Sequence, residues 1–190
     1  MIRKVIGLAL VAAAVPLLQG CFPLAVTGAA VGSLVASDRR TTGTYVEDES
    51  IEWKAIGKWR DRFPAAHING TSFNRRVLLT GEVPTEDARK QVEEMVRTIE
   101  NVKEVTNELQ VAGASSIAAR GNDSLITSNV KARMVNNPKF SPTHVKVVTE
   151  ANVVYLMGLV TQAEGDAAVE VARTASGVSR VVKVFEYIGK

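Results

Sequence analysis

Apolar residues alternate with other residue types along two stretches of this 190-residue chain, in the same pattern. Val77, Leu79, Gly81 and Val83 return as Val154, Leu156, Gly158 and Val160, at an offset of 77 residues. A period of two marks a half-buried strand. A phrase that occurs twice implies two copies of one module. Around it, the same elements are predicted in each copy. A first helix carries Ile51, Ala55 and Trp59 in one copy and Ile126, Val130 and Met134 in the other, every fourth residue. Strands follow over 67–73 and 76–83, turning at Asn74-Arg75, and over 144–149 and 153–160, turning at Ala151-Asn152. A second helix starts after Thr85, with Glu86 and Asp87 suited to its dipole, and at Thr161, which has capping-box spacing to Glu164. Its stripe is Val92, Met95, Val96 and Ile99 in the first copy, and Ala168, Val171, Ala172 and Ala175 in the second. Last strands are predicted over 102–111 and 178–188. The fold class is α+β: two tandem modules, each helix-strand-strand-helix-strand, with two helices on a three-stranded mixed sheet. The modules span 48–111 and 123–190, joined by a linker over 112–122 of flexible Ala/Gly/Ser composition.

The second copy is apolar on both faces of its sheet. Val153, Tyr155, Met157 and Leu159 alternate with the core positions, and Val182 and Val184 alternate with Val181 and Phe185. A sheet apolar on both sides is covered on both, so its outer face is expected against the first module or a partner. The first copy instead places Arg76, Thr80 and Glu82 on that face.

The amino terminus reads as an address. Arg3 and Lys4 precede an apolar run over 5–18, the length of a secretory signal and short of the roughly 20 residues of a membrane span. Leu18-Gln19-Gly20-Cys21 resembles the lipobox of bacterial lipoproteins, which implies a signal peptide over 1–20 and acylation of Cys21, the only cysteine. Phe22 after the cysteine implies outer-membrane sorting, and residues 21–47 are read as acylated anchor and tether. Arg39 and Arg40 in it read as a solvated pair, with contact to lipid phosphates as the alternative.

Chemistry is sparse. No nucleophile–base set, metal-ligand spacing or phosphate loop is apparent, so neither catalysis, nor a metal, nor a cofactor is expected. His67 and His144 occupy matching repeat positions, as scaffold residues do. Net charge is +3 and aromatic content 5 %, which argue against nucleic acid. The charge is uneven: residues 48–111 hold 10 basic and 12 acidic side chains, and residues 123–190 hold 8 and 6. The stretch 124–139 carries Lys131, Arg133 and Lys139 and no acid. Leu125 and Val135 lie off its core stripe, with Ser128, Asn129 and Ala132 between them. Apolar positions flanked by bases suit a headgroup surface; packing of Leu125 and Val135 on the first module is the other reading these residues leave open.

The repeated V-x-L-x-G-x-V phrase, the Asp-led first helix (Asp48, Asp123) and the closing Asn101-Val102-Lys103-Glu104-Val105-Thr106-Asn107 and Gly177-Val178-Ser179-Arg180-Val181 resemble the BON domain. Two such domains behind a lipobox are similar to the dual-BON outer-membrane lipoproteins of Gram-negative bacteria. The resemblance implies binding of anionic phospholipid such as phosphatidylglycerol through the second module's first helix, support of envelope integrity, and association with the division site. On that reading Leu125 and Val135 insert, with Ser128, Asn129 and Ala132 on the same face, and Lys131, Arg133 and Lys139 meet phosphates. The rival reading is an adaptor for outer-membrane assembly or cell-wall proteins.

Overall fold

A computed structural model describes residues 38–189. The expected signal peptide, Cys21 and most of the tether lie outside the described residues. The order of elements is α1 Thr42–Trp59, β1 His67–Phe73, β2 Arg76–Val83, α2 Glu86–Arg97, β3 Glu104–Asn107, β4 Gln110–Val111, α3 Ile117–Val135, a 3-10 turn Pro142–His144, β5 Val145–Glu150, β6 Val153–Val160, α4 Gln162–Arg173 and β7 Arg180–Tyr187. In the first module β1 pairs antiparallel with β2, and β3 and β4 pair parallel with it; in the second, β5 and β6 are antiparallel and β6 and β7 parallel. These are the two mixed sheets expected. The first module's last strand is broken, however. Glu108 N–H bonds to Leu79 O and Leu109 turns inward to the core.

Each helix pair covers one face of its sheet. Ile51, Ala55 and Trp59 pack with Val77, Leu79, Val83, Val92 and Val96; Ile126, Val130 and Met134 pack with Val154, Leu156, Val160, Ala168 and Ala172. The second helices start where expected: Thr161 with Glu164 forms the capping box, and Thr85 proves to be the other N-cap, its Oγ1 accepting from Ala88 N–H.

Both first helices start earlier than the apolar stripe suggests. Thr41 and Ser116 are the N-caps, each accepting from an N–H three residues on. Residues 42–47 are therefore helix and not tether, and α3 takes up the end of the segment read as a flexible linker. Asp48 and Asp123 consequently lie inside their helices, buried, and hold the hairpin turns. Asp48 accepts from Ser72 Oγ at 2.6 Å, Asn74 N at 2.9 Å and Arg75 N at 2.7 Å. Asp123 accepts from Ala151 N and Asn152 N, each at 2.9 Å. Those turn residues have φ between 49° and 66°. Left-handed backbone at non-glycine residues is costly, and the carboxylate bonds offset the cost in both copies.

The outer faces of the two sheets meet. Phe73 and Leu78 of the first module bury Tyr155, Met157, Leu159 and Val184 of the second, with Val148, Val153 and Val182 at the margin. Polar groups close the rim: Lys146 Nζ donates to Glu52 Oε1 at 2.8 Å, and Asn74 Nδ2 to Glu186 Oε2 at 2.8 Å. The apolar second face is thus covered by the first module, while Thr80 and Glu82, on the first module's polar outer face, are buried as well.

Candidate functional site

On α3 the inner side is taken by Asp123, Ile126, Val130 and Met134. At about 100° per residue the opposite side collects Leu125, Ser128, Asn129, Ala132 and Val135, and all five are exposed. Leu125 is 71 % and Val135 68 % exposed, so neither packs on the first module. Lys131 and Arg133 flank this ridge on opposite sides. Arg133 is engaged: its guanidinium donates to Thr174 O at 2.6 Å and Thr174 Oγ1 at 3.0 Å, closing the end of α4. Lys131 lines a cavity of about 280 Å³ together with Arg40, Lys146 and Tyr45, and Lys139 is exposed beyond the helix end. Of the three bases read as phosphate ligands, Lys131 and Lys139 are the ones that make no side-chain hydrogen bond among the described residues.

The sequence pattern did not single out α1. Its outward side exposes Val46, Trp53 and Ile56, with Trp53 71 % exposed, whereas Trp59 is buried. A tryptophan displaced by two positions from the stripe Ile51, Ala55, Trp59 is the signal that marks it.

Arg39 and Arg40 are paired, which corrects their reading as solvated charges. Arg40 bonds Asp38 and Asp48 and lies 4.0 Å from the Phe73 ring centroid. Arg39 reaches the second module, donating to Glu164 Oε2 at 2.7 Å, Glu164 Oε1 at 2.9 Å and Leu159 O at 2.8 Å. The Arg39 guanidinium, aided by Thr161, holds the Glu164 carboxyl down at about 2 against the ordinary 4.5. A depressed acid contributes stability that is present above its unfolded value and lost as pH falls through its folded one. The Arg39–Glu164 contribution is therefore full above pH 4.5 and lost between 4.5 and about 2. Arg39→Ala is expected to flatten the pH dependence of the melting temperature in that window and lower it at neutral pH; parallel wild-type and variant profiles would refute this coupling.

A second polar group sits at the seam between the modules. His67 Nδ1 stands 3.0 Å from Glu82 Oε2 and 3.6 Å from Glu150 Oε1, with all three side chains largely buried. Asn69 Nδ2 faces both His67 Nε2, at 3.1 Å, and Glu150 Oε2, at 3.0 Å. The amide is a donor, so Nε2 accepts and the ring proton lies on Nδ1, directed to Glu82. Burial pushes the Glu150 carboxyl above its ordinary value, against the Asn69 bond. Burial also pushes Glu82 up, but the Ser115 N–H and His67 bonds outweigh it and leave it low. His144, at the matching position of the second module, meets Glu164 at 3.6 Å.

Residues 54–113 and 122–189 each match the BON domain family model. The chain is 40 % identical over 184 residues to the outer membrane lipoprotein DolP of Haemophilus influenzae, covering 95 % of each. It is 35 % identical to a 21 kDa hemolysin of Actinobacillus pleuropneumoniae, over 80 % of this chain and 79 % of that one. To the osmotically-inducible protein Y of Escherichia coli it is 28 % identical, over 82 % and 80 %.

Proposed function

The chain belongs to the BON domain family as an outer-membrane, lipid-anchored protein with two such modules, and from that premise we propose that it binds anionic phospholipid, phosphatidylglycerol foremost, through α3. The role is non-enzymatic: support of outer-membrane integrity, with the division site as a place of action. Cys21, the only cysteine, is the acylated anchor.

The observation that carries this reading is the outward ridge of α3, where Leu125 and Val135 stand exposed at the two ends, with Lys131 on its flank and Lys139 exposed beyond the helix end. Burying a leucine side chain is worth about 1.5–3 kcal/mol, and a basic residue at an anionic surface about 1 kcal/mol. That is a weak site on its own. An acyl anchor on the same chain raises the effective concentration of lipid to roughly millimolar, which makes a weak site sufficient.

Flotation of the protein lacking residues 1–21 with vesicles tests it. Binding is expected with phosphatidylglycerol and not with phosphatidylcholine alone. Leu125→Glu is expected to weaken it by about tenfold or more, and Lys131→Glu by about tenfold or more through loss of one attraction and gain of one repulsion. Equal binding to both vesicle types, or binding untouched by either change, would sink the lipid reading. The adaptor reading finds its support in α1, where Val46, Trp53 and Ile56 face outward. Trp59 is buried and contributes a constant signal, so tryptophan emission follows Trp53. A spectrum that does not shift when vesicles bind assigns α1 to protein contacts, and a blue shift assigns it to the membrane.

A further inference from the structure

The two histidines occupy matching positions of the repeat but meet different company. His144 faces Glu164, and that carboxylate is already satisfied by both guanidinium nitrogens of Arg39 and by Thr161. His67 faces two carboxylates, Glu82 and Glu150, and no lysine or arginine bonds either one among the described residues. Two buried carboxylates with one imidazole between them carry net negative charge, and burying such charge without a cation is expensive.

We propose that this seam binds a divalent transition-metal ion of the zinc type, held by His67 Nδ1 and one carboxylate oxygen each of Glu82 and Glu150. The donor atoms lie within 4.8 Å of one another, with Nδ1 3.0 Å from Glu82 Oε2 and 3.6 Å from Glu150 Oε1. Donors at about 2.0–2.1 Å from a tetrahedral zinc ion stand about 3.3 Å apart, so shifts below an ångström close the set. One nitrogen and two oxygens from protein leave a fourth position for water, a pattern zinc accepts. Magnesium and calcium favour oxygen-only shells, and the imidazole disfavours them.

Access is present. A cavity of about 330 Å³, lined in part by His67, Asn69, Asp123, Ser128 and Glu150, reaches two of the three ligands, with Glu82 behind His67. Arg120 also lines it but directs its guanidinium to Ser115 Oγ at 3.2 Å and Ser115 O at 2.9 Å. On binding, the imidazole changes tautomer with no net release of a proton: the one on Nδ1 is exchanged through solvent for one on Nε2, the ion takes its place at Nδ1, and the Asn69 amide turns so that its Oδ1 accepts from Nε2–H. His67 and Glu82 come from the first module and Glu150 from the second. A bound ion therefore links the two modules.

The test uses the full chain in detergent micelles, titrated with zinc and, for a spectroscopic signal, with cobalt(II). One ion per chain is expected, with the visible absorption of a four-coordinate cobalt site and a rise in melting temperature, since the ion binds the docked state. Nitrogen-15 spectra of the wild-type imidazoles are expected to show His67 perturbed by zinc and His144 unchanged, a readout that needs no variant to fold. His67→Gln and Glu150→Gln are each expected to weaken binding by about 100-fold or more, and His144→Gln to leave it intact. Absence of stoichiometric binding, perturbation of both histidines alike, or affinity unchanged in His67→Gln would overturn the proposal. Ser128 borders both surfaces, but vesicle flotation reads Leu125 and Lys131, which neither hold the ion nor line its cavity, so failure of either proposal leaves the other standing.

Discussion

Leu78→Asp is expected to part the two modules. Leu78 is fully buried in the apolar cluster at the seam, with Phe73 beside it and Tyr155, Met157, Leu159 and Val184 from the other sheet. The Arg40 guanidinium over the Phe73 ring is already taken by Asp38 and Asp48, and the side chains packed with Leu78 are apolar, so burying a carboxylate there is expected to cost about 3–5 kcal/mol. The helix-side cores of the modules are separate clusters and do not include Leu78. Each module is therefore expected to keep its secondary structure while the docking fails. The measurements are hydrodynamic radius and limited proteolysis: a larger radius and new cleavage between β4 and α3 are expected, with circular dichroism little changed. A variant as compact and protease-resistant as the wild type would contradict the role given to this seam.

Gly81→Ala is the other large effect. A Cβ at Gly81 would lie 2.0 Å from the carbonyl oxygen of His67, and the residue has φ +108°. Both the contact and the dihedral are backbone features, so no side chain can move aside. The strand pair β1–β2 must separate locally, at a cost of about 3–5 kcal/mol. Gly158→Ala places its Cβ 2.3 Å from the carbonyl oxygen of His144, with a loss of the same order expected from overpacking alone. Chemical denaturation measures both. A loss under about 1 kcal/mol at either position would mean that the strands yield easily there, contrary to the close approach described. The two variants also differ usefully. Gly81→Ala displaces His67 and is expected to abolish zinc binding, while Gly158→Ala destabilises the second module and leaves His67 in place.

The repeated phrase was legible because its information is local. Alternation gave β2 and β6, every-fourth spacing gave the buried stripes of α1 and α3, and a threonine before acidic residues gave the caps of α2 and α4. Even the seam could be anticipated, since Tyr155, Met157 and Leu159 are apolar where a solvent-facing row would be polar. The helix starts were misplaced because Thr41 and Ser116 open onto turns with no periodic apolar signal. Asp48 and Asp123 looked like helix openers, an ordinary role for aspartate, and instead hold hairpin turns 26 and 29 residues away. Pairings across the chain left no trace in the pattern. Arg39 and Glu164 are 125 residues apart, and Glu150 reaches Asn69 across 81. At the candidate membrane surface, exposure of Leu125 and Val135 was suggested by their place off the stripe, but the capture of Arg133 by Thr174 was not. That contact depends on how α4 ends beside α3.

The seam also bears on how the two copies evolve. Tandem repeats can recombine in frame, deleting one unit or overwriting one copy with the other. Loss of the first module would leave Tyr155, Met157, Leu159 and Val184 facing water on a lone sheet, a surface prone to aggregation. Overwriting the second with the first would put arginine, leucine, threonine and glutamate where Val153, Tyr155, Met157 and Leu159 stand, and set charged and polar side chains into a boundary that apolar ones now close. Either product would be selected against, so the copies are held to a shared scaffold and to faces that must stay different. Drift at one of those faces is then tied to a compensating change in the other copy, and the pair is inherited as a unit.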